Sequence, residues 1–466
     1  MDCRVEPDND RVGVTQGSKL LNDKPSLRPV LGGAHNDATD YTKHFAAKPQ
    51  PLTLEQAAWI TPPSQLVDTE GMIDVPRLRA YRLNRLRAQM VAHDLAAVIL
   101  LEPLSIRYAV GVRNCALFQT HILAGYLFVP AEGPVVYFDT EPGRETGKQL
   151  ETIDEIRDDV LPLSYMFAGN RQEEWCKAWA AQLADLIERH CGGETRIGVE
   201  RAGAGAQQAL EALGYRVVDP GPALGEARKI KSPEEILCMN QTIAVAEDGM
   251  SRMRDALRPG IRETQLWSHM WNALIEGGGE WIDYRLLASG HRTNPWQQEA
   301  SSRMVRAGDL LVFDCGMVGP WAYGADISRA FHCGPGKPSE QQKLLYTQAW
   351  KEIRHNAELL QPGASFREIV EKRYRQPEQI GCQPYPVMAH GLGMADEYPV
   401  IYYPVDERFQ FEGEIEPGMV MTVESYVGEQ GGVEGVKLED QLVITESGPI
   451  VLSRYPFEEA LLLEDA

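Results

Sequence analysis

The sequence predicts an α/β N-terminal domain followed by an α+β domain built on an internal repeat. Three observations carry this. Helical and strand-like periodicities alternate from about residue 76 to 225. Two helix stops, Leu257-Arg258-Pro259-Gly260 and Leu360-Gln361-Pro362-Gly363, recur 103 residues apart. Between and after them, several apolar strands each carry one acid or one imidazole. At 466 residues the chain exceeds one ordinary core, and we expect an arm over 1–75, an α/β domain over 76–225 and a catalytic domain over 226–466.

Residues 1 to about 50 are rich in Asp, Asn, Gly, Pro and Lys without apolar periodicity, the composition of an arm rather than a core. From Pro76, Leu83, Leu86 and Met90 recur at helical spacing and lead into the strand-like Ala97–Leu101. An amphipathic stretch from Trp175 to His190 precedes a strand at Arg196–Glu200, a short helix near Ala209 and a strand at Arg216–Val218. At Ser232-Pro233-Glu234-Glu235, Ser232 can cap a helix, Pro233 fits its first position and Glu235 completes a capping box. Each Pro-Gly stop is followed by a further helix, with Leu266 and Ile369 at matching offsets.

Composition excludes several functions. A net charge of -21 opposes binding to nucleic acid, which requires a basic face. No apolar run approaches the roughly 20 residues of a membrane span, and the first residues lack the order of a signal peptide. The expected location is cytoplasmic, with no membrane partner. The 8 cysteines, Cys3, Cys115, Cys176, Cys191, Cys238, Cys315, Cys333 and Cys382, form no C-x-x-C pair and read as reduced, mostly buried residues.

The chemistry lies in the apolar strands. Leu310–Asp314 ends on a carboxylate, Asp326 follows 12 residues later, and a hairpin would set the two side by side. His390 sits among glycines in Ala389-His390-Gly391-Leu392-Gly393. Glu424 ends the run Val420–Glu424, and Glu439 follows in Val436–Asp440. A single Asp at a strand end is usually a turn residue, and a lone His is usually a satisfied polar group. Four acids and one imidazole on otherwise apolar strands demand compensation, and form an oxygen-rich set suited to two divalent ions.

The order Asp, Asp, His, Glu, Glu resembles the methionine aminopeptidase, prolidase and creatinase superfamily, through Phe313-Asp314-Cys315-Gly316, Ala325-Asp326-Ile327-Ser328-Arg329, His390-Gly391-Leu392-Gly393, Thr422-Val423-Glu424 and Leu438-Glu439-Asp440. That resemblance implies a pita-bread catalytic domain with a pseudo-two-fold repeat, a creatinase-like N-terminal domain, a dinuclear site and a homodimer. Asp314 would chelate one ion, Asp326 and Glu439 would bridge, and His390 and Glu424 would complete the other. Peptidases of the superfamily have one residue fewer between the two aspartates, which a β-bulge could absorb.

Two further histidines expected of such peptidases are missing. Trp296 or Gln297 stands where one is expected, with His291 displaced from it, and Glu397 stands at the other; no histidine follows His390. Without those imidazoles a peptidase loses the groups that bind the scissile carbonyl and protonate the leaving amine.

The stretch Gln383-Pro384-Tyr385 through His390 to Asp396-Glu397-Tyr398 instead resembles dimethylsulfoniopropionate lyases of the DddP type. The resemblance implies β-elimination of dimethyl sulfide to leave acrylate, with Asp396 as the base and iron as the favoured metal, manganese, cobalt and zinc being compatible with the ligand types. It also implies a small sulfonium substrate. A sulfonium has no hydrogen-bond donor, so aromatic faces suit it: Tyr385 by the family pattern, and Trp296, Trp321 and Tyr323 by position. The alternatives are an X-Pro dipeptidase or aminopeptidase, and a binding protein of this fold that has lost catalysis.

Overall fold

The computed structural model describes residues 51–60, 73–113, 116–380, 385–404 and 412–464. The arm over 1–50, Cys3, Cys115, Cys382 and the Gln383-Pro384 pair lie outside the described residues.

The helix Val75–Ala92 buries Leu83, Leu86 and Met90 on one face, as their spacing requires. It leads into a six-stranded sheet of β1 (Ala97–Leu100), β2 (Tyr126–Pro130), β3 (Val136–Phe138), β4 (Glu155–Arg157), β5 (Arg196–Val199) and β6 (Arg216–Val218), in the order β4-β3-β2-β1-β5-β6. β1, β5 and β6 are parallel, and β2 is antiparallel to both neighbours. The helix Gln172–His190 covers one face through Trp179, Leu183, Leu186 and Ile187. Cys176, Cys238, Cys315 and Cys333 are buried and free, and Cys191 is partly buried and free.

The helix Pro233–Ala256 begins on the Ser232 cap, with the Glu235 N–H donating to Ser232 Oγ and the Ser232 N–H donating to Glu235. It is buried along most of its length, so it is the spine on which other elements pack. One of these comes from the arm. The short helix Leu54–Ala58 buries Ala57 and Ala58, and Asn240 Nδ2 donates to the Ala57 and Ile60 carbonyls. Part of 51–75 is therefore packed structure, fixed by an asparagine that satisfies the end of a helix too short to stand alone.

The rest of the second domain is a repeat. Gly260 and Gly363 both take left-handed φ, +88° and +79°, after the helices Pro233–Ala256 and Glu340–Leu359. Each donates its N–H across the turn, to Val305 O and Ile415 O respectively, at 2.8 Å. The helices that follow, Glu263–Glu276 and Phe366–Lys372, bury Leu266 and Ile369. Gly308 and Gly418, also left-handed, then start the strands that carry the acids, with Asp314 and Glu424 each six residues beyond.

In the first half these strands are β7 (Trp281–Ile282), β8 (Leu286–Ser289), β9 (Leu310–Asp314), β10 (Met317–Val318), β11 (Gly324–Ala325) and β12 (Ser328–His332). They form two three-stranded sheets, β12-β9-β8 and β11-β10-β7. The second half forms one sheet in the order β14-β13-β15-β16-β17, from β13 (Val387–Leu392), β14 (Asp396–Tyr402), β15 (Val420–Gly428), β16 (Gly435–Thr445) and β17 (Gly448–Val451). Among the described residues no helix is long and apolar enough to cross a membrane.

Candidate metal centre

Asp314 and Asp326 meet through a nested hairpin. Asp314 pairs with Ser328, and the same register continues to Met317 opposite Ala325 and Val318 opposite Gly324. No bulge interrupts these ladders, contrary to the expectation for the longer spacing. The irregularity lies in the turn instead, where Trp321 and Ala322 take consecutive left-handed φ of 68° and 63°. Non-glycine residues pay for that conformation. The turn is held by the Thr242 hydroxyl donating to Tyr323 O.

In the other half, Glu424 on β15 and Glu439 on β16 are direct cross-strand partners, and His390 on β13 pairs with Thr422. All five predicted ligands are at most 9% exposed. With Asp396, their donor atoms fall into three groups, Asp314-Asp326-Glu439, His390-Glu424-Glu439 and Asp326-His390-Asp396, and within each the atoms lie within 4.8 Å of one another. The first two share Glu439. Asp326 also reaches His390, with Oδ2 3.6 Å from Nε2. The overlapping groups form one cluster of acids and an imidazole that could hold divalent metal.

Each acid is half satisfied. Lys437 Nζ, fully buried, donates to Asp314 Oδ2 at 3.2 Å and Glu439 Oε2 at 2.7 Å, and lies 2.9 Å from Glu424 Oε2. Tyr385 donates to Glu424 Oε2 at 2.5 Å, Tyr284 to Asp326 Oδ2 at 2.7 Å and Ser328 to Glu439 Oε2 at 2.9 Å. Asp314 Oδ1, Asp326 Oδ1 and Glu439 Oε1 are buried with no hydrogen-bond partner. Bare buried carboxylate oxygens are costly, and four acids against one ammonium leave the cluster short of positive charge. Hard divalent ions fit this oxygen-rich, one-imidazole set.

The electrostatics agree. Burial, then the neighbouring Glu439 and Asp314, push the Asp326 carboxyl well above its usual range. Burial also raises Asp314 and Glu424, only partly opposed by Lys437. Glu439 goes the other way: burial is outweighed by Lys437 and His390, which hold it below the carboxylate range. For His390, burial is outweighed by Glu439, Glu424 and Asp326, which raise its pKa. Its Nδ1 lies 3.1 Å from Gly391 O, and a proton there leaves Nε2 free to face the acids.

Asp396 stands at the mouth of this cluster, its side chain 63% exposed and Oδ1 4.0 Å from His390 Nδ1. The protein packed around the carboxyl raises its pKa; His390 opposes that shift, and Glu439 and Asp314 add to it. Glu397, the next residue on β14, faces the other way into ion pairs with Lys231 at 2.9 Å and Arg228 at 3.2 Å.

Of the four aromatic candidates, Tyr385 alone bonds a metal-group acid. Trp296 is stacked 6.1 Å from Tyr426, itself 6.1 Å from Tyr385, so it stands two rings behind. Trp321 packs against the main core. Tyr323 is buried with its hydroxyl donating to Glu235 at 2.7 Å, away from the cluster.

Sequence reasoning missed Lys437 and Tyr284. Strand alternation could have found the first, since residues 437, 439 and 441 share one face of β16. Tyr284 carries no such signal, because its place depends on how the β7–β8 segment meets the hairpin.

Comparisons with known proteins agree with this architecture. Residues 82–230 match the creatinase/prolidase N-terminal domain, and residues 237–446 match metallopeptidase family M24. The dimethylsulfoniopropionate lyase DddP of Roseovarius nubinhibens is 34% identical over 398 residues, 84% of this chain and 88% of that protein. The DddP of Roseobacter denitrificans is 31% identical over 88% of this chain and 92% of its own length. Among solved structures, an Xaa-Pro dipeptidase from Bacillus anthracis shares the fold, with TM-score 0.67 at 21% identity, covering 82% of this chain and 99% of its own. The chain thus belongs to the pita-bread superfamily of creatinases, prolidases and methionine aminopeptidases, alongside the DddP proteins.

Proposed function

We propose that the chain is a metal-dependent carbon-sulfur lyase that cleaves dimethylsulfoniopropionate to dimethyl sulfide and acrylate. One observation carries this reading: the titratable side chain at the mouth of the cluster, 4.0 Å from His390 Nδ1, is a carboxylate, Asp396. Among the described residues, His390 is the single imidazole in any metal-competent group. Peptide hydrolysis must protonate a leaving amine, whereas a sulfonium leaves as a neutral sulfide and needs no proton. The similarity to two DddP proteins over most of the chain supports the same choice.

In this reading Asp396 accepts the proton α to the substrate carboxylate. The C–H electron pair becomes the Cα=Cβ bond, and the C–S pair departs with sulfur. Bound divalent metal supplies Lewis acidity toward the substrate carboxylate and so stabilises the charge developing there. Lys437 and Tyr385 hold one oxygen of each acid they touch and leave the other open, while Tyr284 holds the Asp326 oxygen that faces His390. The ion pairs of Glu397 anchor β14, and with it Asp396, to the segment before the helix Pro233–Ala256. The same reading takes iron as the working metal, a homodimer as the assembly and the cytoplasm as the location.

Headspace dimethyl sulfide after addition of dimethylsulfoniopropionate tests the proposal, beside proline release from an X-Pro dipeptide. Sulfide above a metal-stripped control is expected. Proline release without sulfide would replace the lyase with a peptidase.

A further inference from the structure

Two cavities lie beside residues that surround the metal centre. One, of about 470 Å³, lies on the Tyr385 side and includes Tyr403, Tyr426, Arg373 and Arg375. The other, of about 460 Å³, lies between the domains and includes Phe118, Trp281, Asp283 and Met394. Both adjoin the chemistry: Tyr385 bonds Glu424, while Met394 is two residues from Asp396 and Asp283 precedes Tyr284, which bonds Asp326.

The Tyr385 side is hostile to a cation. Lys437 Nζ already lies 5.8 Å from the centroid of the Tyr385 ring, and the Tyr385 hydroxyl donates to Glu424. The charged residues of the opposite cavity are Arg113, Glu280 and Asp283. Among the described residues no donor or cation pairs with the Asp283 carboxylate, and its pKa is raised by burial and by the charge of Asp396. A positive group placed between them would relieve both. Trp281, 37% exposed, is held edge-on by Trp271 at 5.2 Å, and Phe118 is half exposed. Glu280, also on this wall, is engaged by Arg107 at 2.6 Å and 2.8 Å and has Arg113 3.6 Å away, which leaves Asp283 as the carboxylate open to a ligand.

We propose that Asp283, with Trp281 and Phe118, receives the cationic end of the substrate, so that an interdomain pocket rather than Tyr385 selects for positive charge. The inference rests on the lyase reading for the substrate's identity. The geometry suits it: the sulfur is one carbon beyond the α position, so a base at Asp396 places the sulfonium against the neighbouring wall. A carboxylate and aromatic faces together bind a cation that lacks hydrogen-bond donors.

The test is calorimetric binding to the metal-loaded protein of two ligands of one shape, 3-(trimethylammonio)propanoate and its neutral isostere 4,4-dimethylpentanoate. The unmodified protein is expected to prefer the cation at least about tenfold, and Asp283→Asn to lose most of that preference with unchanged metal content. Equal affinities in the unmodified protein overturn the inference, whatever the folding of the variant. So does a preference that survives Asp283→Asn. Sulfide release is measured separately. A cation preference without sulfide release keeps the pocket and discards the lyase, and sulfide release without preference does the reverse.

Discussion

Replacing Lys437 by Met is the sharpest probe of how the centre is held together. The ammonium is fully buried and lies 2.7 to 3.2 Å from oxygens of Glu439, Glu424 and Asp314. Methionine fills similar space but leaves these buried acids without their cation. Removing one partner from a buried ionic network costs about 3–5 kcal/mol, which for a domain of this size lowers the melting temperature by roughly 10 °C. Burial opposes the charge on Lys437, but Asp314, Glu424 and Glu439 outweigh it and raise its pKa. Its contribution is therefore complete below the unfolded value of about 10.4 and is lost only as pH rises through the folded value, so a scan near neutral pH sees all of it. Calorimetric scans should be run on the chelated and the metal-loaded protein. The loss should be large in the chelated form and smaller in the loaded form, where metal takes over the neutralisation. Lys437→Arg should recover part of it, since charge is kept but geometry is not. A chelated Lys437→Met protein melting within about 2 °C of the parent would refute the claim that this lysine balances the acids.

Three further outcomes follow from the same structure. Glu439→Ala removes an acid common to two of the three metal-competent groups and should abolish metal content and activity together, as read by elemental analysis; unchanged stoichiometry would reject the bridging role. Asp396→Asn should cut turnover at least about a hundredfold while metal content and melting temperature stay near the parent's, and parallel metal loss would make Asp396 a support for His390 instead. Glu200, which accepts from Ser105 Oγ at 2.6 Å and from the Glu102 N–H at 3.0 Å, is raised by burial to about 7. The folded state therefore holds its proton more tightly than the unfolded state. Stability falls as pH rises from the unfolded value of 4.5 to about 7, by an amount on the order of 3 kcal/mol. Glu200→Gln should remove that slope from urea midpoints taken between pH 5 and 8, and parallel slopes in the two proteins would reject it.

The cluster of acids and one imidazole was legible in sequence because its members lie on or beside strands, where an acid in an apolar run is conspicuous whatever the tertiary packing. The repeat was legible because Gly260 and Gly363 must both take left-handed φ to end their helices, a local requirement that leaves a Pro-Gly mark. The hairpin showed only in part. The 12-residue spacing of Asp314 and Asp326 implied that they meet, but not that the ladders stay in register while Trp321 and Ala322 take left-handed φ in the turn. Aromatic positions were the least legible. Trp296, Trp321 and Tyr323 lie close to the motifs in sequence, yet which way a ring turns is decided by partners far along the chain: Tyr426 for Trp296, and Glu235 for Tyr323. Asp283 was invisible for the same reason. Its chemistry comes from an unpaired carboxylate beside Asp396, 113 residues away, and from a wall that Phe118 completes from the other domain. Residues that hold a metal answer to the strand that carries them, whereas residues that choose a substrate answer to the meeting of segments. A sequence read one segment at a time therefore finds the chemistry before it finds the specificity.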